Sequence, residues 1–290
     1  MQKIFLVTVI IPTYKDWARL QLCLNTLSKQ SYPAEYIEII VVNNDANEEG
    51  SQHIHLPRNA ILMKEAAPGS YAARNAALKI AKGEVIAFTD SDCLPSDNWI
   101  VEAVKVFEEN AEAQRVTGPV NIFKELNGGW LAWKFESVTA FNQQYNVKSG
   151  VSVTANLFVK RHVFNTVGHF NASLFSGGDV EWNKRATQAG IGLLYMPKVL
   201  VMHPARLSMR ALVTKSRRVL GGGFVRAKKE KRLLHYTLRH LVPPVRYAKV
   251  LVDDGKPLLD VLFAVLIYWG LKILMIFEIF RLSLGAKPVR

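Results

Sequence analysis

Val85-Ile86-Ala87-Phe88-Thr89-Asp90-Ser91-Asp92 is the stretch on which the fold turns. Its unbroken apolar run fits a strand covered on both faces, as in a parallel sheet wrapped by helices. It ends in two carboxylates two residues apart, followed by Cys93-Leu94-Pro95 and a new helical pattern over 97–109. An Asp-x-Asp can be no more than a solvated turn. At the end of a buried strand it can also converge on one divalent cation, and hard oxygen ligands suit magnesium or manganese. Such a cation would neutralise phosphates.

The same pattern repeats on the N-terminal side. Residues 5–11 and 37–42 read as apolar strands, and 61–64 as a short third one. Helical patterns fall between them, over 16–29 with Asp16 as cap and over 70–81 with Ser70 as cap and Gly83 as stop. On the C-terminal side a helix over 180–189 follows Asp179, and strand-like runs cover 193–196 and 199–202. Alternating strands and helices predict an α/β fold with a mostly parallel sheet flanked by helices. The polar clusters Pro12-Thr13-Tyr14, Asn43-Asn44-Asp45 and Asp90-Ser91-Asp92 all follow strands, where open α/β sheets bind ligands.

Composition narrows the function. With 49% apolar and 21% charged residues over 290 positions, the chain is not a disordered one. Two cysteines, Cys23 and Cys93, exclude a disulfide scaffold and a cysteine-rich zinc module. The net charge of +13 is concentrated in residues 204–250, which hold 13 basic residues and one acidic residue, Glu230. Immediately downstream, 258–280 is almost wholly apolar and long enough to cross a bilayer, but Asp260, Lys272 and Glu278 interrupt it. A basic block beside an apolar helix suits an anionic cytoplasmic leaflet, so a membrane-associating region is expected over 206–290. A buried helix of a soluble domain is the alternative. The basic tail, Arg281, Lys287 and Arg290, leaves spanning and re-entrant arrangements both open. The N-terminus, Lys3 followed by an apolar run, resembles a signal peptide faintly and reads as a buried first strand of a cytosolic domain.

Five blocks in order carry a resemblance. They are Val9-Ile10-Ile11-Pro12-Thr13-Tyr14, Ile39-Ile40-Val41-Val42-Asn43-Asn44, the stretch Gly69-Ser70-Tyr71-Ala72-Ala73-Arg74-Asn75, then Phe88-Thr89-Asp90-Ser91-Asp92, and Gly177-Gly178-Asp179-Val180-Glu181-Trp182. Thr154-Ala155-Asn156 and Val167-Gly168-His169-Phe170 precede the last. Over roughly residues 5–205 the chain resembles the family 2 glycosyltransferases, with their nucleotide-sugar-binding GT-A fold. The resemblance implies a catalytic domain over 1–205 and metal-dependent, inverting transfer of a sugar from a nucleotide diphosphate donor, with Mn2+ or Mg2+ as cofactor.

The resemblance also implies roles. Pro12, Thr13 and Tyr14 would lie against the nucleoside. Asn43 stands where the family usually has an Asp that binds the base; it keeps an acceptor oxygen and loses the charge. Uridine is the expected nucleoside. Arg74 would meet base or phosphate oxygens, or form a structural ion pair with a nearby Asp. Asp90 and Asp92 match the ribose-diphosphate and metal pair, with Asp92 as metal ligand and His203 as a second one. Asp179 would be the catalytic base, although Gly178 replaces the first member of the family's usual acidic pair, and Asp179 also suits a helix cap. Lys215-Ser216-Arg217-Arg218 occupies the region where processive relatives carry Gln-x-x-Arg-Trp. The missing Gln and Trp favour single-sugar transfer, with Arg217 or Arg218 reaching the diphosphate or facing a membrane.

The aromatic stretch 130–145 suits sugar stacking or core packing equally. The expected partners are a nucleotide-sugar donor, a glycan or lipid-linked acceptor and the cytoplasmic leaflet of the cell membrane, with no nucleic acid. Two other readings stay open: a catalytically silent sugar- or nucleotide-binding scaffold, and a basic nucleic-acid-binding protein.

Overall fold

The structure, a computed structural model, describes residues 4–45, 54–174 and 176–289. Lys3 and Arg290, part of the terminal readings, lie outside them. In chain order the elements are β1 Val7–Thr13, α1 Trp17–Leu27, β2 Ile37–Asn43, β3 Ala60–Lys64, α2 Ser70–Leu78, β4 Val85–Phe88 and β5 Leu94–Pro95. Then come α3 Trp99–Glu109, β6 Arg115–Thr117, β7 Val120–Phe123, α4 Trp130–Thr139, α5 Gln143–Lys148, β8 Leu157–Lys160, α6 Val163–Val167 and α7 Gly178–Gln188. The chain closes with β9 Leu193–Tyr195, β10 Val201–Pro204, α8 Met209–Lys229, α9 Leu233–Leu241, α10 Val245–Asp253 and α11 Leu258–Ser283.

The chain divides into two compact units. The first comprises 1–121, 141–173 and 178–203. Its seven-stranded sheet runs β3-β2-β1-β4-β8-β6-β9. The pairs β1/β2, β1/β4, β2/β3 and β6/β9 are parallel, while β8 runs against both β4 and β6. The central strands β1 and β4 are buried at every position, which is why they lack polar alternation. Helix α3 packs Trp99, Ile100, Ala103, Val104 and Phe107 into this core. The predicted α/β class and mostly parallel sheet are what the chain adopts.

Local starts and stops differ from the sequence reading in three places. Asp16 does not cap α1 with its side chain; its Oδ2 lies 3.3 Å from Arg19 Nη1 instead. Helix α2 is preceded by Gly69 at φ 113°, a left-handed value that suits glycine, so Ser70 is its first residue rather than its cap. The helix ends at Leu78, short of Gly83, and Gly83 packs instead: a Cβ there would lie 2.5 Å from the Thr8 nitrogen.

The second unit comprises 122–140, 174–177 and 204–290. Its core joins Phe135 and Val138 of α4 to Leu212 of α8, Leu251 of α10 and Val261, Ala264 and Leu271 of α11. Glu136 is one buried charge in it, accepting from the Arg206 nitrogen (2.7 Å) and from Lys215 Nζ (2.9 Å). Burial raises the Glu136 carboxyl, but Lys215 and Arg206 outweigh that and hold it below the usual range.

Candidate active site

Strand β4 delivers Asp90 and Asp92 to the carboxyl edge of the sheet. The β5–β10 register, Met202 opposite Leu94, brings His203 to the same place, so that its Nε2 lies 3.5 Å from Asp92 Oδ2. One ligand atom each of Asp92, Cys93 and His203 lie within 4.8 Å of one another. This juxtaposition comes from pairing strands a hundred residues apart. His203 is buried, and Phe141, at a left-handed φ of 51°, packs its ring 4.8 Å from the imidazole. Burial pushes the Asp92 carboxyl up; His203 opposes this and Asp90 adds to it. Burial also holds the Cys93 thiol far above its ordinary value, so it is a protonated neighbour rather than a thiolate. The carboxylate and imidazole fit a divalent first-row cation.

Asp90 pairs with Arg74 Nη2 of α2, which realises the ion-pair alternative for that arginine. Arg74 is 2% exposed and its Nε has no hydrogen-bond partner. A buried donor left unsatisfied is costly, and this one is available to donate to a further oxygen.

Asp179 stands in the first turn of α7, which begins two residues earlier than the sequence suggests, so it is not the cap residue. Its Oδ1 accepts from the Val180 nitrogen (2.9 Å) and from the Tyr71 hydroxyl (3.3 Å). Burial pushes its carboxyl up; the Val180 N–H and Arg74 pull it down, and Asp90 pushes it further up. Asp179 therefore shares one electrostatic site with Asp90 and Arg74. Burial raises the Tyr71 phenol to about 12, so it stays a donor at neutral pH. Gly178 leaves room for that ring: a Cβ on Gly178 would lie 2.6 Å from Tyr71 Cε2. The position where the acidic pair is broken is the position Tyr71 occupies.

Helix α7 is anchored by Arg115 of β6, which is fully buried. Its guanidinium donates to Asn183 Oδ1 (2.6 Å), Thr187 Oγ1 (3.0 Å) and the Ile191 carbonyl (2.5 Å). No carboxylate is among these acceptors, and burial lowers its pKa to about 10. Glu181, the other acid near Asp179, is engaged by Arg185 at 2.7 Å.

At the ends of β1 and β2, Thr13 is buried with an unpartnered Oγ1, Pro12 is buried and Tyr14 is exposed. Asn43 turns its Oδ1 inward to the Asp45 nitrogen (2.9 Å), so its acceptor oxygen is used locally. The carboxylate at this strand end is Asp45, buried and 3.3 Å from Lys15 Nζ. Asn44 ties the loop before α2, accepting from the Gly69 nitrogen (2.6 Å). The motif blocks also hold one another: Asn75 exchanges two hydrogen bonds with Phe170, whose ring stacks on Tyr71 at 5.9 Å. Asn156 joins Trp99 Nε1 (2.9 Å) to the Pro119 and Val199 carbonyls.

Arg217 and Arg218 belong to α8 of the second unit, and Arg217 Nε is paired with Glu278 Oε2 at 3.0 Å. Of the aromatics over 130–145, Phe135 is core, Trp130 is exposed and Phe141 packs on His203. Sequence reasoning missed Tyr71, Asp45 and Arg115. Tyr71 lies inside the block Gly69 to Asn75 and Asp45 in the polar cluster after β2; Arg115 carries no local signal.

Residues 8–173 match the model of Glycosyl transferase family 2. Glycosyltransferase AglE of Haloferax volcanii is 37% identical over 207 residues, covering 69% of this chain and 67% of AglE. Escherichia coli WfgD, a UDP-Glc:alpha-D-GlcNAc-diphosphoundecaprenol beta-1,3-glucosyltransferase, is 32% identical over 105 residues, 35% of this chain and 39% of its own length. Among solved structures, the mannosyltransferase PcManGT from Pyrobaculum calidifontis, in complex with GDP-Man and Mn2+, superposes with a TM-score of 0.59. It is 20% identical and covers 98% of this chain and 88% of its own.

Proposed function

The chain belongs to the family 2 glycosyltransferases, and we propose that it transfers a sugar with inversion from a nucleotide diphosphate donor to the hydroxyl of a membrane-linked glycan or lipid. The observation that carries this is the grouping at one sheet edge of a raised carboxylate, Asp179, with the Arg74–Asp90 pair and the Asp92–His203 pair.

Asp179 is the base. It takes the proton from the acceptor hydroxyl as that oxygen attacks the anomeric carbon from the side opposite the leaving diphosphate. A carboxylate raised toward neutrality is a better proton acceptor than an ordinary one. Tyr71 keeps its own proton and fixes the carboxylate through Oδ1, leaving the second oxygen for the acceptor. Asp92 and His203 would hold the divalent cation, with Asp90 alongside them. When bound, the cation supplies positive charge to the departing diphosphate. A ligand set that includes imidazole favours Mn2+ over Mg2+, which prefers oxygen alone. Arg74 orients Asp90 and offers its Nε to a donor oxygen.

Thr13, Tyr14 and Asp45 form the nucleoside end, with Asp45 rather than Asn43 accepting from the base. A uridine donor is the proposal, in line with the UDP-Glc in the name of WfgD; the GDP-Man of PcManGT marks the competing base. Lys215 and Arg217 are tied to Glu136 and Glu278, which supports single-sugar rather than processive transfer. The diphosphoundecaprenol in the name of WfgD supports a lipid-linked acceptor here, and the basic block beside an apolar helix supports a place at the cytoplasmic face of the cell membrane.

A thermal-shift screen of nucleotide sugars with and without Mn2+ tests the reading. One donor at a hundred times its Kd should add about 2.7 kcal/mol of stability only when metal is present. No metal-dependent stabilisation by any UDP- or GDP-sugar would refute it.

A further inference from the structure

Helix α11 has two faces of opposite character. Val261, Ala264, Leu271, Met275, Ile279 and Leu282 are buried in the second unit's cores. On the same side, Asp260 Oδ2 meets Lys134 Nζ at 2.7 Å, and Glu278 meets both Arg217 (3.0 Å) and Arg281 (2.6 Å). Two of the three charges that interrupt the apolar stretch are therefore paired within the protein, and the third, Lys272, donates its Nζ to the Val242 carbonyl.

The other side is uncovered. Leu259, Leu262, Leu266, Ile273, Phe277 and Phe280 are all exposed, with Leu259 at 79% and Phe277 at 71%. At 100° per residue they fall within about 60° of one another, roughly 130° round from Asp260 and Glu278. The most apolar 18-residue stretch of the helix is only 22% buried, unlike the central helix of a soluble core. Two shorter helices packed against α11 also expose apolar residues: α9 exposes Leu234, Leu238 and Leu241 at helical spacing, and α10 exposes Val245 and Val252. Exposed cations accompany them, among them Lys228, Lys229, Lys231, Arg232, Arg246 and Lys249.

We infer that α9, α10 and α11 form an in-plane docking surface for an anionic lipid leaflet, with the exposed stripe of α11 set among the acyl chains and α11 not crossing the bilayer. This rests on the membrane reading proposed above and fixes its geometry; it does not depend on the chemistry of the transferred sugar. At 26 residues α11 is long enough to cross. Crossing would strip it from α4 and α8, place Asp260 and Glu278 in hydrocarbon and leave Lys134 and Arg217 without their carboxylates. Lying in the plane keeps every pair and buries the apolar stripe. Basic residues beside apolar faces are the pattern of helices that bind anionic interfaces.

The test is sedimentation of the full chain with vesicles of phosphatidylcholine alone and with one-third phosphatidylglycerol. Binding should be at least tenfold stronger to the anionic vesicles, weaken with salt, and be reversed by alkaline carbonate. Trp269, on the exposed side of α11, should be quenched by shallow brominated lipids and not by lipids brominated near the bilayer centre. The double variant Leu266→Asp/Phe277→Asp should lose vesicle binding at least tenfold while keeping its melting temperature and its turnover of a soluble acceptor. Carbonate-resistant retention would show a spanning helix and overturn the inference. So would a concentration-dependent dimer that the double variant abolishes, with no vesicle binding by the parent. Vesicle binding in a chain that turns over no donor would keep the docking surface and remove the transferase mechanism.

Discussion

Gly178→Ala adds one carbon where Tyr71 leaves no space. The new Cβ would stand 2.6 Å from Cε2 and 2.8 Å from Cδ2 and Cζ of the ring, against an ordinary contact of about 3.5–4 Å. The ring must retreat by about 1 Å. It cannot do so freely, because it is stacked on Phe170 and carries the Arg74 guanidinium 5.7 Å from its centre. Overpacking of this kind costs about 1–3 kcal/mol. In a chain of this size that lowers the melting temperature by roughly 2–4 °C for each kcal/mol. The hydroxyl moves with the ring, and its 3.3 Å bond to Asp179 is already long. Turnover should fall by up to about 100-fold, the cost of misplacing a reacting group by about 1 Å. The assay is a double-mutant cycle with Tyr71→Leu, read by thermal melting and by single-turnover kinetics. Relief of the clash in the double variant should appear as a coupling of about 0.5–3 kcal/mol. Tyr71→Phe separates the two roles: it should keep stability and lower turnover. A Gly178→Ala protein as stable and active as the parent, or strict additivity in the cycle, would refute the claim that Gly178 and Tyr71 are a matched pair serving Asp179.

Three further outcomes follow from the same geometry. Asp179→Asn should cut turnover by about 10²–10⁴-fold while leaving donor-induced stabilisation intact. Because burial holds the folded Asp179 carboxyl above its unfolded value of about 3.9, the native state binds the extra proton between those values and stability falls as pH rises through that window. The Asn variant should thus be at least as stable as the parent at neutral pH, and the acid limb of the parent's pH–rate profile should lie above the ordinary carboxylate range. Glu136→Gln should destabilise the second unit by about 1.5–3 kcal/mol at neutral pH. Glu136 is lowered on folding, so its contribution is present above the unfolded carboxylate value and lost as pH falls through the folded one; melting curves of parent and variant should converge in acid. Arg115→Lys should lower the melting temperature and turnover together, because a single ammonium cannot span the three acceptors that hold α7.

The central strands were legible because burial on both faces writes an apolar run directly into the chain, as in Val85–Phe88. The carboxyl-edge residues were legible for the same reason, being the polar stop after each run. Partnerships across the sequence were not. His203 meets Asp92 only because β10 pairs with β5, and no spacing rule links positions 111 residues apart. Arg115 looks like any surface arginine until the sheet closes over it. Asn43 offers an acceptor oxygen in the sequence, which the turn itself engages, while the buried carboxylate at this strand end is Asp45, two residues on and paired with Lys15. Asp260, Lys272 and Glu278 looked like obstacles to a membrane helix, because the partners of the two carboxylates lie on other parts of the chain.

The reversed strand β8 also bears on how the chain is made. Strands β1, β2 and β4 are all synthesised once Phe88 is in place, but β4 pairs on its other side with β8, which leaves the ribosome about 70 residues later. At about 5–20 residues per second, the open edge of Val85–Phe88 waits roughly 4–14 s for its partner. That edge is fully apolar and carries unpaired backbone groups, the features that recruit foreign strands. Slowing synthesis between Thr89 and Asn156 should therefore lower soluble yield without changing the melting temperature of the finished fold.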